Sequence, residues 1–195
     1  MAIVYPLNTP TTIGIENITI RAINSVTTSQ SPFTYKQQVV DFGGQRWEAS
    51  VSIPSVRRDL AADWAAMLVA LKGPVGTFLL GDPDYVSPRG TATSATLTGG
   101  VGQENATVNM NGSLKAGDYI QLGTGSSARL HKVLVDLPSS GTLDVWPKLR
   151  QNYTDETVIL SSPKGLFRLK QNMAEWSINN ASAYGISFEA VEVLT

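Results

Sequence analysis

The residue types that carry out most catalysis are scarce in this 195-residue chain, and His131 is its one histidine. A hydrolytic triad needs a nucleophile and an orienting acid close to such an imidazole. His131 lies in "SARLHKVL", which is typical of a strand, and no G-x-S-x-G motif is present to expose a serine nucleophile. The chain has no cysteine, which excludes thiolate chemistry and disulfides. We therefore predict that His131 is an ordinary strand residue, at the surface or partly buried.

The carboxylates form no convincing catalytic or metal-binding group either. Asp82 and Asp84 in "GDPD" could bind a hard cation together with nearby carbonyls, but acids around a proline are more typical of a plain turn. Asp155 and Glu156 are sequence neighbours whose side chains point apart, so they make a poor acid/base pair. The glycines within 99–102 lack the strand–turn–helix unit of a dinucleotide fingerprint. The sequence predicts no catalytic residue, no metal, no cofactor and no enzymatic activity.

The four tryptophans suggest one binding function, because exposed aromatic rings on β-scaffolds can bind sugars. Trp47, Trp64 and Trp176 lie within periodic apolar runs and are predicted to be core residues. Trp146, in "LDVWPKLR", precedes a proline at the end of a strand. It is the candidate sugar-contact residue.

Residues 46–53 alternate between apolar and polar side chains, which is the pattern of a half-buried strand. The apolar positions are Trp47, Ala49, Val51 and Ile53, and the polar positions are Arg46, Glu48, Ser50 and Ser52. Pro54 is expected to end this strand because proline has no N–H to donate. Ser55 is a candidate N-cap, with Asp59 as the alternative. Apolar residues then recur at helical spacing, which predicts one helix over about 56–72.

A β-hairpin is predicted over about 33–53. Its first arm contains Phe33, Tyr35, Val39 and Val40, and "FGGQ" is expected to form the turn. Residues 46–53 form the second arm. Long hairpins can pair edge to edge between subunits, so this hairpin is a candidate interface.

The composition and periodicity of the sequence change at about residue 85. From there to about 163 the chain is rich in Gly, Ser and Thr, and turn signals recur every 8 to 12 residues, which is typical of a small closed barrel. After "SSPKG" the sequence again has clear strand patterns, like those before residue 85. We predict a mainly β fold, in which residues 1–84 and 164–195 form a β-sandwich with the helix, and residues 85–163 form an inserted small β-barrel.

Composition narrows the function further. The net charge is −1, so general nucleic-acid binding has no electrostatic basis. The 16% content of charged residues is low, which suits a surface in contact with other copies or partners. No segment has the apolar length of a membrane span, and the first residues do not resemble a signal peptide. We expect synthesis in the cytoplasm and no membrane insertion.

Several stretches together resemble the distal tail proteins of long-tailed bacteriophages. They are "WEASVSIPSVRRDLAADWAAMLVALKGPVGTFLLGDP", "LKAGDYIQL", "LDVWPKLR" and "GLFRLKQNMAEWSINNASAYGISFEAVEVL", which cover most of the chain. The resemblance implies a β-sandwich similar to the tail-tube fold, with a helix on its flank and an OB-like barrel projecting outward. Its motifs are packing motifs, so no catalytic residue is carried over.

The resemblance also implies partners and a location. Such proteins form a ring, typically hexameric, at the tail tip of the virion, and the ring connects the tail tube protein to baseplate hub or fibre proteins. DNA would be cargo passing through the lumen. Assembly would take place in the host cytoplasm.

The polar face of the predicted hairpin is the candidate ring-interface or lumen surface. It consists of Lys36, Gln38, Arg46, Glu48, Ser50 and Ser52. Mixed charges and amides have no strong net attraction for phosphate. Two other functions stay open: a carbohydrate-binding β module that contacts host or fibre saccharide, and the tail tube subunit itself.

Overall fold

The structure is a computed structural model that describes residues 3–179 and 183–194. It confirms the predicted fold class, because these residues are mainly β, with one α-helix and a small closed barrel among them. In chain order the elements are β1 (Leu7–Asn8), β2 (Asn17–Gln30), β3 (Gln37–Arg57), α1 (Arg58–Ala70), β4 (Phe78–Leu80), β5 (Ala95–Gly99), β6 (Asn105–Met110), β7 (Tyr119–Leu122), β8 (Arg129–Val133), β9 (Gly141–Trp146), β10 (Tyr153–Ile159), β11 (Gly165–Leu169), β12 (Trp176–Ile178) and β13 (Ala183–Glu192).

Seven strands form a mixed sheet in the order β1-β4-β11-β13-β3-β2, with β12 paired to one end of β13. The barrel closes in the order β10-β5-β6-β9-β8-β7. The chain leaves the sheet at Leu80 and returns at Gly165, which is the direct cross-strand partner of Leu80. A Cβ atom on Gly81 would lie 2.2 Å from the Pro163 carbonyl oxygen, so the close approach of the two linkers requires glycine there.

The helix α1 covers one face of the sheet. Trp64, Leu68 and Leu71 are fully buried with Phe78 and Phe167 of the sheet. Burying a side chain of this kind stabilises the fold by about 1.5–3 kcal/mol relative to leaving it exposed. No helix in the described ranges has the length and apolar character that crossing a bilayer would require.

Three details around the helix correct the sequence expectations. Pro54 does not end β3. It lies at a bulge, where the pairing register between β3 and β13 shifts, so the missing N–H of the proline leaves no hydrogen bond of the sheet unmade. The helix occupies Arg58–Ala70 rather than about 56–72. Its N-cap is Arg57, which makes no side-chain capping bond, so neither Ser55 nor Asp59 has that role.

The predicted turn at "FGGQ" is also wrong. β3 runs without interruption from Gln37 to Arg57, and its hairpin partner is β2, with the turn between Gln30 and Gln37. The "FGGQ" segment is a bulge instead: the register passes from the Asn24–Gln45 pair to the Val26–Asp41 pair. Three residues of β3 therefore lie opposite one residue of β2, which bends the hairpin at this point.

The tryptophan predictions have mixed outcomes. Trp47 and Trp64 are buried core residues, as predicted. Trp176 is 39% exposed, so its prediction as a core residue is wrong. It lies on the short strand β12 at the end of the sheet, where its periodic pattern does not lead to burial.

Candidate functional site

The residues with catalytic potential are not brought together. Asp82 accepts a hydrogen bond from the backbone N–H of Asp84, which makes the segment an ordinary turn. Asp155 bonds with Thr98 on the neighbouring barrel strand instead of forming a pair with Glu156. In the described part of the chain, no cluster of three or more His, Asp or Glu side chains is arranged to hold a metal ion.

His131 is fully buried in β8, which corrects the expectation of a surface or partly buried position. Its Nδ1–H donates a hydrogen bond to the Pro147 carbonyl oxygen, at an Nδ1–O distance of 2.8 Å. Burial lowers the pKa of His131 from 6.5 to about 4, and the positive charges of Arg150 and Arg129 act in the same direction. The bond to Pro147 opposes this shift without overcoming it. The imidazole is therefore a neutral structural group at pH 7.

Acidification should lower the free energy of unfolding because of His131. The unfolded chain binds a proton near pH 6.5, but the folded protein does not until about pH 4. We expect the free energy of unfolding to fall by about 3 kcal/mol between these pH values because of this residue. Urea unfolding of the wild type and of His131→Gln from pH 7.5 to 4 measures the difference. The glutamine amide can still donate to Pro147 and does not titrate. Identical pH slopes for the two proteins would contradict the assignment.

The end of the β2–β3 hairpin is an exposed part of the sheet. β13 pairs with β3 from Glu48 to Arg57, so residues 37–46 of β3 pair only with β2. Every residue from Val26 to Phe42 is exposed except Ser31. We call residues 26–42 the distal hairpin. It extends beyond the sheet as a two-stranded ribbon.

The distal hairpin is unusually apolar for a segment with so much exposure. Its apolar side chains and their exposed fractions are Val26 46%, Phe33 91%, Tyr35 74%, Val39 60%, Val40 43% and Phe42 67%. β2 is the last strand in the sheet order, so the described chain offers no partner for its outer edge. An edge strand with unpaired main-chain groups and clustered apolar side chains is a typical site of pairing with another chain.

The bulge sets the direction of the distal hairpin. Gly43 adopts a φ of 71°, which favours glycine, and its N–H donates to Asp41 Oδ1 at 2.7 Å. A Cβ atom on Gly44 would approach Ser25 Cβ to 3.0 Å. The two glycines therefore allow the backbone to bend at the bulge and do not form the turn of the hairpin.

The predicted polar residues lie in two groups. Lys36 is in the turn and Gln38 is in the distal hairpin opposite Ser29, and both are exposed. The others lie on the part of β3 that follows the bulge, on the sheet face opposite the core. They are Arg46, Glu48, Ser50 and Ser52.

Glu48 is the centre of a charge network on that face. Its carboxylate contacts Arg46 at 2.5 Å and Lys170 at 3.2 Å, and Lys170 also contacts Glu189 at 3.3 Å. Burial acts to raise the pKa of Glu48, but hydrogen bonds from Lys170 and Arg46 outweigh it and hold the pKa below its usual value. The hydrogen bonds with Glu48 and Glu189 raise the pKa of Lys170. Glu48 and Lys170 therefore stay charged near neutral pH, and the charges of the network are paired with one another.

Trp146 lies at the junction between the barrel and the sheet. Its ring packs edge-on against Trp47, with centroids 4.4 Å apart, and its Nε1 donates to Asn24 Oδ1 at 2.9 Å. Trp47 Nε1 donates in turn to the carbonyl of Leu130 in the barrel. This packing gives Trp146 a structural role that requires no bound sugar. Its role as a sugar contact stays a prediction.

An ion pair between the partly buried Arg150 and the buried Glu192 completes the same junction. Arg150 Nη2 donates to Glu192 Oε2 at 2.9 Å and to the Gln45 carbonyl at 2.6 Å, and Arg150 Nε donates to Glu192 Oε1 at 3.3 Å. The Trp47 N–H also donates to Glu192. Sequence reasoning missed this cluster, because its members are far apart in the chain and share no local pattern.

The geometry defines a class of protein: a mainly β scaffold whose sheet continues into an apolar, exposed hairpin next to an inserted barrel. A scan against protein-family models gives no match for this chain, and a search among curated proteins gives no significant match. What the chain does is therefore inferred from its geometry and its sequence motifs.

Proposed function

We propose that the protein is a structural virion protein that forms a ring, hexameric by resemblance, at the distal end of a phage tail. The ring would connect the tail tube to the baseplate hub and fibres. The observation that carries the proposal is the distal hairpin. A two-stranded ribbon alone is marginally stable in water, and this one exposes Phe33, Tyr35 and Phe42. A neighbouring subunit that covers these side chains would stabilise the ribbon and would also remove its apolar surface from water.

The charge network suits a wall past which DNA moves. Arg46, Glu48, Lys170 and Glu189 pair with one another, so they offer little net attraction to phosphate. We propose that the sheet face carrying Glu48, Ser50 and Ser52 lines the lumen. The barrel, on the other side of the linkers at Gly81 and Pro163, would then be free to contact fibres or the hub.

Electron microscopy of the purified protein tests the proposal, together with light scattering after size exclusion. We expect closed rings and the mass of a hexamer in place of the 20.9 kDa of one chain. A protein that stays monomeric at high concentration and in tail particles would contradict the ring. Sugar binding on a glycan array that is lost in Trp146→Ala would instead support the carbohydrate-binding module.

A further inference from the structure

The sheet exposes a second apolar cluster, which we call the β12 patch. It consists of Met173, Trp176 and Ile178, which are 62%, 39% and 59% exposed, together with the exposed Glu175. β12 pairs with β13 through Trp176–Ile186 to Ile178–Tyr184. Within the described residues no strand pairs with its other edge. The patch therefore combines exposed apolar side chains with an open strand edge.

The distal hairpin and the β12 patch lie at opposite ends of β3. β12 joins β13 where β13 pairs with residues 53–57 of β3, whereas the distal hairpin includes residues 37–42. Val40 and Val56 are sixteen positions apart, and once the extra residues of the two bulges in β3 are discounted this stretch spans about 40 Å. One copy therefore cannot place its own hairpin on its own patch. Contact between the two surfaces requires two copies.

A closed ring needs two different surfaces on each subunit, one of which receives the other. We propose that the tip of the distal hairpin of one copy docks on the β12 patch of the next copy. Phe33 and Tyr35 would cover Trp176 and Ile178. This inference rests on the proposed ring and names the surfaces that close it.

Charge supports the same pairing. Lys36 is next to Tyr35 at the tip, and Glu175 is next to Trp176 and is the only charged residue from 171 to 179. The other charge of the distal hairpin, Asp41, accepts the N–H of Gly43 within the bulge. Docking would thus bring one free cation of the tip to the one carboxylate of the patch.

Disulfide trapping tests the contact directly, because the chain has no cysteine of its own. We expect the double variant Tyr35→Cys/Ile178→Cys to give a ladder of covalent oligomers after mild oxidation. Each single variant should give dimers at most. The matched control is Tyr35→Cys/Val69→Cys, since Val69 is also exposed (57%) but lies on α1. It should give no ladder.

Charge reversal provides the second measurement. Lys36→Glu and Glu175→Lys should each weaken ring assembly about tenfold, and the two together should restore it to within about threefold. Lys115→Glu, on an exposed barrel turn, is the control for net charge and should assemble normally. Thermal unfolding establishes that each variant is folded.

The failures of the two proposals are distinguishable. Rings in micrographs without a 35/178 ladder, or without rescue by the paired reversal, would overturn the docking and leave the ring standing. The absence of rings in the wild type would overturn the proposed function itself.

Discussion

Removal of the tip of the distal hairpin is expected to abolish ring assembly and to leave the rest of the protein folded. Thr27 and Val40 are direct cross-strand partners, so residues 28–39 can be replaced by Asn-Gly, which forms a two-residue hairpin turn. The deletion removes Phe33, Tyr35 and Lys36, all of which are exposed. Because the deleted segment contributes nothing to either buried core cluster, the unfolding midpoint should change little.

Light scattering and micrographs measure the loss of rings, and far-UV circular dichroism with a melting curve measures folding. A milder version is Phe33→Ser, with Val101→Ser as its control, since Val101 is also exposed (60%) but lies in the loop between the barrel strands β5 and β6. Phe33→Ser should weaken assembly, whereas Val101→Ser should not. Intact rings after the 28–39 deletion would exclude this segment from the interface.

The second large effect concerns the stability of the junction. Glu192→Ala is expected to destabilise the protein by about 3–5 kcal/mol, because it leaves the Arg150 guanidinium without its buried carboxylate. The Arg150 side chain is 17% exposed and that of Glu192 is 3% exposed, so water compensates poorly for the loss. The Trp47 N–H loses its acceptor in the same variant. Urea unfolding monitored by tryptophan fluorescence measures the change.

The control for this prediction is Glu189→Gln, which breaks an exposed ion pair with Lys170. That variant should lose less than about 1 kcal/mol. Replacement of both partners, Arg150→Leu with Glu192→Leu, should recover part of the loss from Glu192→Ala. Equal losses for Glu192→Ala and Glu189→Gln would contradict a buried, coupled pair.

Local patterns predicted much of the fold. The alternation in residues 46–53 placed Trp47, Ala49, Val51 and Ile53 in the core, where all are at most 3% exposed. The recurring turn signals predicted a small barrel, and the barrel is closed by strands between residues 95 and 159. These predictions succeed because burial on one face of a strand or helix imposes a period on the sequence.

Other local signals were ambiguous between two structures. Gly43 and Gly44 are compatible with a hairpin turn or with a bulge. They form a bulge because β2 pairs with β3 on both sides of them. The run around Trp176 has the composition of a buried strand, but β12 lies at the end of the sheet, where its side chains stay exposed. In the candidate assembly surface, the sequence placed Phe33 and Tyr35 on a strand arm of the hairpin, but both lie in the turn between β2 and β3.

The sequence by itself determined which residues alternate, about where the helix α1 lies, and that the chain has one histidine and no cysteine. The tertiary structure alone decided the junction and the exposed ends of the sheet. Glu192 accepts from Trp47 across 145 positions of the chain, and Arg150 reaches Gln45 across 105. Such contacts depend on strand order and register, which bring distant residues together without leaving a periodic trace in either segment.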